Sequence, residues 1–136
     1  MKVILVLVLT AVCLVGSKKT TYLPFLAETA LPNKFLNLVQ SVPDGETITK
    51  TITLKEKGEF LLYWAAESDN NSIPKVKDAY KNYSNSGVVK IDGNTVDLIV
   101  KKPTGYRVCT GYYVPPHIHY RIVKDNMLSD IQTVFL

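Results

Sequence analysis

Both histidines of the 136-residue chain stand two positions apart, in Pro115-Pro116-His117-Ile118-His119-Tyr120-Arg121-Ile122. On a β-strand, side chains at i and i+2 leave the same face. Two imidazoles placed in this way can converge on one ion, and neutral imidazole is a common metal ligand. An ordinary pair of surface histidines would show the same spacing. The two residues alone leave both readings open. If a metal is held here, it carries the chemistry, and the protein supplies geometry and dry walls around it.

The elements that must position this pair are strands. His117–Lys124 reads as one of them. From Glu46 the hydrophobic period is two, and Glu46–Leu54 alternates Ile48 and Ile52 among threonines. Phe60–Ala66 is a continuous apolar run around Trp64, as expected of a central strand buried on both faces. Gly87–Ile91 and Thr95–Lys101 flank Asp92-Gly93-Asn94, which predicts a hairpin, because Asp-Gly tolerates the positive φ of tight turns. Tyr112–Val114 and Ile131–Leu136 complete the set. Glu67 to Asn85 is polar and reads as a long loop, of a length that is usually functional or disordered. Six to eight short strands with almost no helix predict an all-β antiparallel sandwich. One short helix is expected near the N-terminus, over Asn33 to Val42.

The rest of the sequence bounds the setting. Lys2, the apolar run Val3 to Val15 and the small residues Gly16 and Ser17 have the layout of a secretory signal, with cleavage before Lys18. An uncleaved membrane anchor is the alternative, although the run is short for a bilayer span. A lipidated Cys13 fits less well, because Val12 precedes it. The expected division is 1–17 signal peptide, 18–45 irregular lead-in punctuated by Pro24, Pro32 and Pro43, and 46–136 one β-domain. Secretion would follow, with no stable membrane association after cleavage. Removal of Cys13 would leave Cys109 either as a buried apolar thiol or paired with another chain. Asn70-Asn71-Ser72 and Asn82-Tyr83-Ser84 are glycosylation acceptors in a eukaryotic host. The net charge of +4 is spread over scattered lysines, with no basic run interleaved with aromatics, so nucleic acid is not an expected partner. Homo-oligomerisation is left open.

Around the histidine pair the chain resembles the intradiol ring-cleavage dioxygenases, non-haem iron enzymes of the catechol and protocatechuate type. Pro116-His117-Ile118-His119-Tyr120-Arg121 is similar to the family's His-x-His strand. Lys102-Pro103-Thr104-Gly105-Tyr106 resembles its proline-glycine-tyrosine segment. Gly87 to Gly93 resembles the glycine and strand leading to that tyrosine. Ile131-Gln132-Thr133-Val134-Phe135 is similar to the closing strand, and Trp64-Ala65-Ala66 to the tryptophan strand. The resemblance spans residues 59–136 and is best over the last fifty. It implies a ferric ion held by His117, His119, Tyr106 and a second tyrosine, for which Tyr80 is the first choice and Tyr83 the other. It implies Gln132 beside the substrate, and a small aromatic diol and dioxygen as reactants. Phenolates are hard anionic donors that favour Fe(III). Two departures stand out. Val114 occupies the place of the family's arginine. The spacing from Trp64 puts the second tyrosine's place at Ser72. Two rival readings follow. One is a non-catalytic secreted binder of the same fold with a degenerate metal site. The other is a transthyretin-like extracellular module with no metal.

Overall fold

In the computed structural model, residues 40–67, 73–81 and 83–136 are described. The fold is all-β and antiparallel, as the alternating strands predict. Its strands are β1 (Ile48–Thr53), β2 (Phe60–Ala65), β3 (Ser86–Lys90), β4 (Thr95–Val100), β5 (Tyr106–Arg107), β6 (Tyr113–Val114), β7 (His117–Lys124), β8 (Met127–Leu128) and β9 (Gln132–Phe135). A five-stranded sheet runs β3-β2-β7, and both β8 and β9 pair with the far edge of β7. β1 and β4 form a second, two-stranded layer, and β5 and β6 a short ribbon.

β2 is apolar throughout because it lies between β3 and β7 and is covered on both faces. Leu61, Tyr63 and Ala65 share one core with Ile118 and Ile122 of β7 and with Ile52, Leu54, Val96, Leu98 and Val100 of the β1–β4 layer. Leu62, Trp64 and Ala66 belong to a second core on the opposite face. It holds Val76, Ala79, Tyr80, Tyr83 and Tyr106. Each large buried aliphatic or aromatic side chain contributes roughly 1.5–3 kcal/mol by leaving water, so both faces of β2 are held firmly. Gly87 lies opposite Tyr63 in the β2–β3 register. A Cβ there would stand 2.7 Å from the Ser41 carbonyl oxygen, so only glycine fits.

Several expectations need correction. Asp92-Gly93-Asn94 does turn tightly, with Gly93 at φ +133, but it does not close a hairpin. β3 pairs with β2 and β4 pairs with β1, so the turn carries the chain from one layer to the other. The two-residue hairpin lies elsewhere. Asp125 and Asn126, at φ 52 and 60, join β7 to β8. Both residue types tolerate the left-handed conformation that such a turn requires. The predicted helix over Asn33 to Val42 lies mostly outside the described residues. Its end is not helical, because Ser41 forms a β-bridge with Val88. The predicted loop Glu67 to Asn85 contains a single helical turn, α1 (Val76–Ala79). Cys109 is exposed rather than buried, and it is disulfide-bonded.

Candidate metal centre

The odd-numbered residues of β7 carry the site. In the β2–β7 register His119 lies opposite Trp64, on the face away from the β1–β4 layer. Their rings stand 5.5 Å apart. His117 is two residues nearer the N-terminal end of β7 and is only 2% exposed.

Two further elements lean over this face. α1 is short and uncapped by any side chain, so it depends on what it packs against. Glu67 N–H donates to Ala79 O (2.8 Å), tying α1 to the end of β2. The chain then leaves through Lys81 and Tyr83, both at positive φ. Such backbone costs on the order of 1 kcal/mol or more for each residue. Burial of Tyr80 and Tyr83, with their rings stacked at 5.7 Å, offsets that cost. Asn85 fixes the far end of the segment. It is fully buried. Its amide donates to Ala66 O and Lys101 O and accepts from Lys101 N–H, locking the ends of β2 and β4 together. Glu67 accepts from Ser84 and pairs with Lys101 (2.9 Å) beside it. Burial raises its carboxyl pKa, but the hydrogen bonds from Ser84 and Lys101 and the lysine charges outweigh this and hold it below the usual range. β5 brings Tyr106, held by its pairing with Val114 of β6. Arg107 N–H also donates to Pro74 O (2.9 Å), linking the ribbon to the start of α1.

The result is a cluster of four donor atoms. Tyr80 Oη donates to Tyr106 Oη (2.9 Å). His117 Nε2 lies 3.2 Å from Tyr80 Oη, 3.1 Å from Tyr106 Oη and 3.1 Å from His119 Nε2. Nitrogen and oxygen donors sit about 2.0–2.2 Å from a transition-metal ion such as zinc, so donors roughly 90–110° apart around it are separated by about 2.8–3.6 Å. All four contacts fall in that range.

The protons do not suffice for these contacts. His117 Nδ1 lies 2.7 Å from Pro115 O. A carbonyl only accepts, so the proton of neutral His117 is on Nδ1 and its Nε2 presents a single lone pair. That lone pair faces three polar atoms at once. The two phenols supply one proton each, and His119 at most one more, for four contacts. A cation at the centre removes the shortfall, and the ring nitrogen held by Pro115 is the outer partner that metal-bound histidines usually have.

The electrostatics point the same way. Burial holds the His117 pKa below its ordinary value, although the Pro115 hydrogen bond works against this. His119 keeps a partly exposed edge, but burial of its ring and then the neighbouring His117 push its pKa down to about 3. Both imidazoles are therefore neutral at pH 7, the form that donates to metals. Burial pushes the Tyr80 phenol well up, and the adjacent Tyr106 adds to this. Burial also raises Tyr106, opposed by the hydrogen bond from Tyr80. Without a cation both phenols stay protonated. A trivalent ion that draws off both protons would have two of its three charges balanced inside the site.

Among the described residues no group of three or more histidine, cysteine, aspartate or glutamate side chains could hold a metal. The cluster therefore depends on its tyrosines. His117, His119, Tyr106 and Tyr80 come together as expected. Tyr83 does not join them but stacks on Tyr80, and Ser72 is outside the described residues. Gln132 requires correction. It pairs in register with Tyr120 and accepts a hydrogen bond from Tyr120 Oη (3.1 Å), on the other face of the sheet. Its neighbour Thr133 is the residue opposite His119, with Oγ1 2.9 Å from His119 Nδ1. Sequence reading also missed Phe135, whose half-exposed ring lies 5.5 Å from His117. The period-two alternation of β9 contained the signal for both.

Of the nearby arginines, Arg121 is buried and its Nε donates to Ser129 O (2.6 Å). Arg107 is exposed, donates to Gly111 O and lies over the Tyr113 ring.

Replacing Tyr80 or Tyr106 by phenylalanine keeps the ring packing and removes only the donor oxygen. Each single variant, loaded with iron, is expected to lose about half of the visible tyrosinate absorbance, and the double variant all of it. Absorption spectra at equal iron content check this, and an unchanged spectrum in either single variant contradicts that residue's role. Comparison of the chain with protein-family models and with curated proteins finds no match.

Proposed function

We propose that this chain is a secreted non-haem iron(III) protein that opens a small catechol with dioxygen, in the manner of the intradiol dioxygenases it resembles. The observation that carries the proposal is the convergence of two tyrosine oxygens and two histidine nitrogens, all within 3.2 Å of His117 Nε2 or being that atom. The donor set is hard and half anionic, which favours Fe(III) over Fe(II) and over softer ions. Iron(III), when bound, supplies the Lewis acidity and electron-accepting capacity that make a catechol ring reactive toward oxygen. The protein's share is positional. His117 and His119 give a fixed neutral edge on a central strand. Tyr80 and Tyr106 come from shorter, less supported elements and provide oxygens that can take up the protons of an arriving diol. Trp64, Tyr83 and Phe135 wall the cluster with rings, which limits water and suits an aromatic substrate. Mixing the iron-loaded protein with catechol in air is expected to yield the ring-opened dicarboxylic acid. Its absence, with catechol bound, favours a second reading.

That second reading is a non-catalytic binder of the same fold. Two observations favour it: Val114 stands where a cationic donor would be expected, and Gln132 is turned to the opposite face.

Secretion rests on the layout of residues 1–17. Protein recovered from the medium is expected to begin at Lys18, and a sequence beginning at Met1 contradicts that. The same sample analysed without reductant identifies the partner of Cys109.

A further inference from the structure

The two histidines of the cluster have unlike outer partners. His117 Nδ1 faces the Pro115 carbonyl, which can only accept a hydrogen bond. His119 Nδ1 faces the Thr133 hydroxyl, which can accept or donate. We propose that Thr133 makes His119 a tautomer-switching ligand, while His117 is locked in the Nδ1-protonated form. The inference rests on the reading that the four-donor cluster holds a metal.

In the metal-free protein the cluster is short of protons, and His119 can supply one of the three that its four contacts share. With its proton on Nε2, it donates to His117 Nε2 across 3.1 Å. Thr133 then turns its hydroxyl proton toward His119 Nδ1 across 2.9 Å. When the cluster holds a cation, His119 must present a lone pair at Nε2. It loses that proton to solvent and gains one at Nδ1, and this N–H now donates to Thr133 Oγ1. Thr133 is exposed, so solvent can supply this proton through the hydroxyl. His119 stays neutral throughout, since one proton leaves and one arrives. A carbonyl in place of Thr133 would forbid the metal-free arrangement. A methyl group would leave Nδ1–H without its protein partner in the metal-holding one. Gln132 on the same strand has no part in this, because it faces the other side of the sheet.

The test uses the full chain and gallium(III), a diamagnetic stand-in for iron(III). Nitrogen-15 NMR of the metal-free protein is expected to show His117 protonated at Nδ1 and His119 at Nε2. Gallium is expected to move the His119 proton to Nδ1 and leave His117 unchanged. Thr133→Val is expected to bind gallium about 10- to 100-fold more weakly, the usual cost of losing an outer partner of a metal ligand. Thr133→Ser, which keeps the hydroxyl, should bind like the natural protein. An Nδ1-protonated His119 before metal is added overturns the switch. So does a Thr133→Val variant, with an unchanged NMR fold signature, that binds as tightly as the natural chain. Absence of gallium uptake by the natural protein overturns the metal reading and the switch with it. Uptake with no change in the His119 tautomer overturns the switch alone.

Discussion

Replacing His117 by alanine is expected to abolish iron binding, and replacing His119 to weaken it nearly as far. His117 Nε2 is the hub of the cluster, touching the other three donor atoms. Without it, Tyr80 and Tyr106 are two buried phenols whose pKa values burial has raised. An ion would have to displace both protons with less ligand support in return. Loss of His119 leaves the hub but opens the half-exposed side of the site to water. The fold should survive either change, because β7 is held on both sides by β2, β8 and β9 and shares its opposite face with a separate core. Iron analysis of dialysed protein, with circular dichroism to confirm the sheet, checks this. Full iron occupancy in the His117→Ala, His119→Ala double variant contradicts the assignment.

The natural protein is expected to be a slow enzyme, below about one turnover per second, the low end of the usual range. Val114 is the register partner of Tyr106 and packs against the core that holds Tyr80 and Tyr106. It therefore borders the apolar cluster that holds both tyrosines, yet offers no hydrogen-bond donor to charge developing on a bound diol. A missing donor of this kind commonly costs on the order of a hundredfold in turnover. Val114→Arg is expected to raise kcat at least about tenfold while changing catechol affinity much less, because such a group acts mainly in the transition state. Stopped-flow mixing with catechol and oxygen separates the two quantities. Fast turnover by the natural protein would mean that Arg107 or Arg121 reaches the substrate after rearrangement. An unchanged kcat in an iron-loaded Val114→Arg variant would count against a catalytic role for this position.

What the sequence made legible follows from period. β1, β2, β4 and β7 lie within a residue or two of where alternation or an apolar run predicted them. His117 and His119 share a face because the strand dictates it. Tyr106 and Tyr80 enter the candidate site through resemblance, although the spacing of Tyr80 from Trp64 is longer than the pattern implies. α1 lies within that longer stretch. It is a single turn whose helical period is too short to register in a polar segment, and its position depends on Glu67 and on the burial of Tyr80. Gln132 shows how sharply period two discriminates. The pairing of β9 with β7 places Thr133 opposite His119, and a shift of one residue reverses every side chain. Local residues do not set that register. The Asp92-Gly93-Asn94 turn carries a similar lesson. Turn chemistry specifies a sharp reversal, but which layer the next strand joins depends on Val96, Leu98 and Val100 finding the far face of β2. Asn85 was invisible for the same reason, since its three backbone partners are distant in sequence.

The most direct measurement is the iron content and visible spectrum of the purified protein after loading with iron(III) and removal of excess. The donor cluster predicts about one iron per chain and an intense tyrosinate-to-iron absorption that gives a burgundy colour. A colourless protein that retains no iron would contradict the central claim, and would leave His117, His119, Tyr80 and Tyr106 as a buried hydrogen-bonded cluster and nothing more.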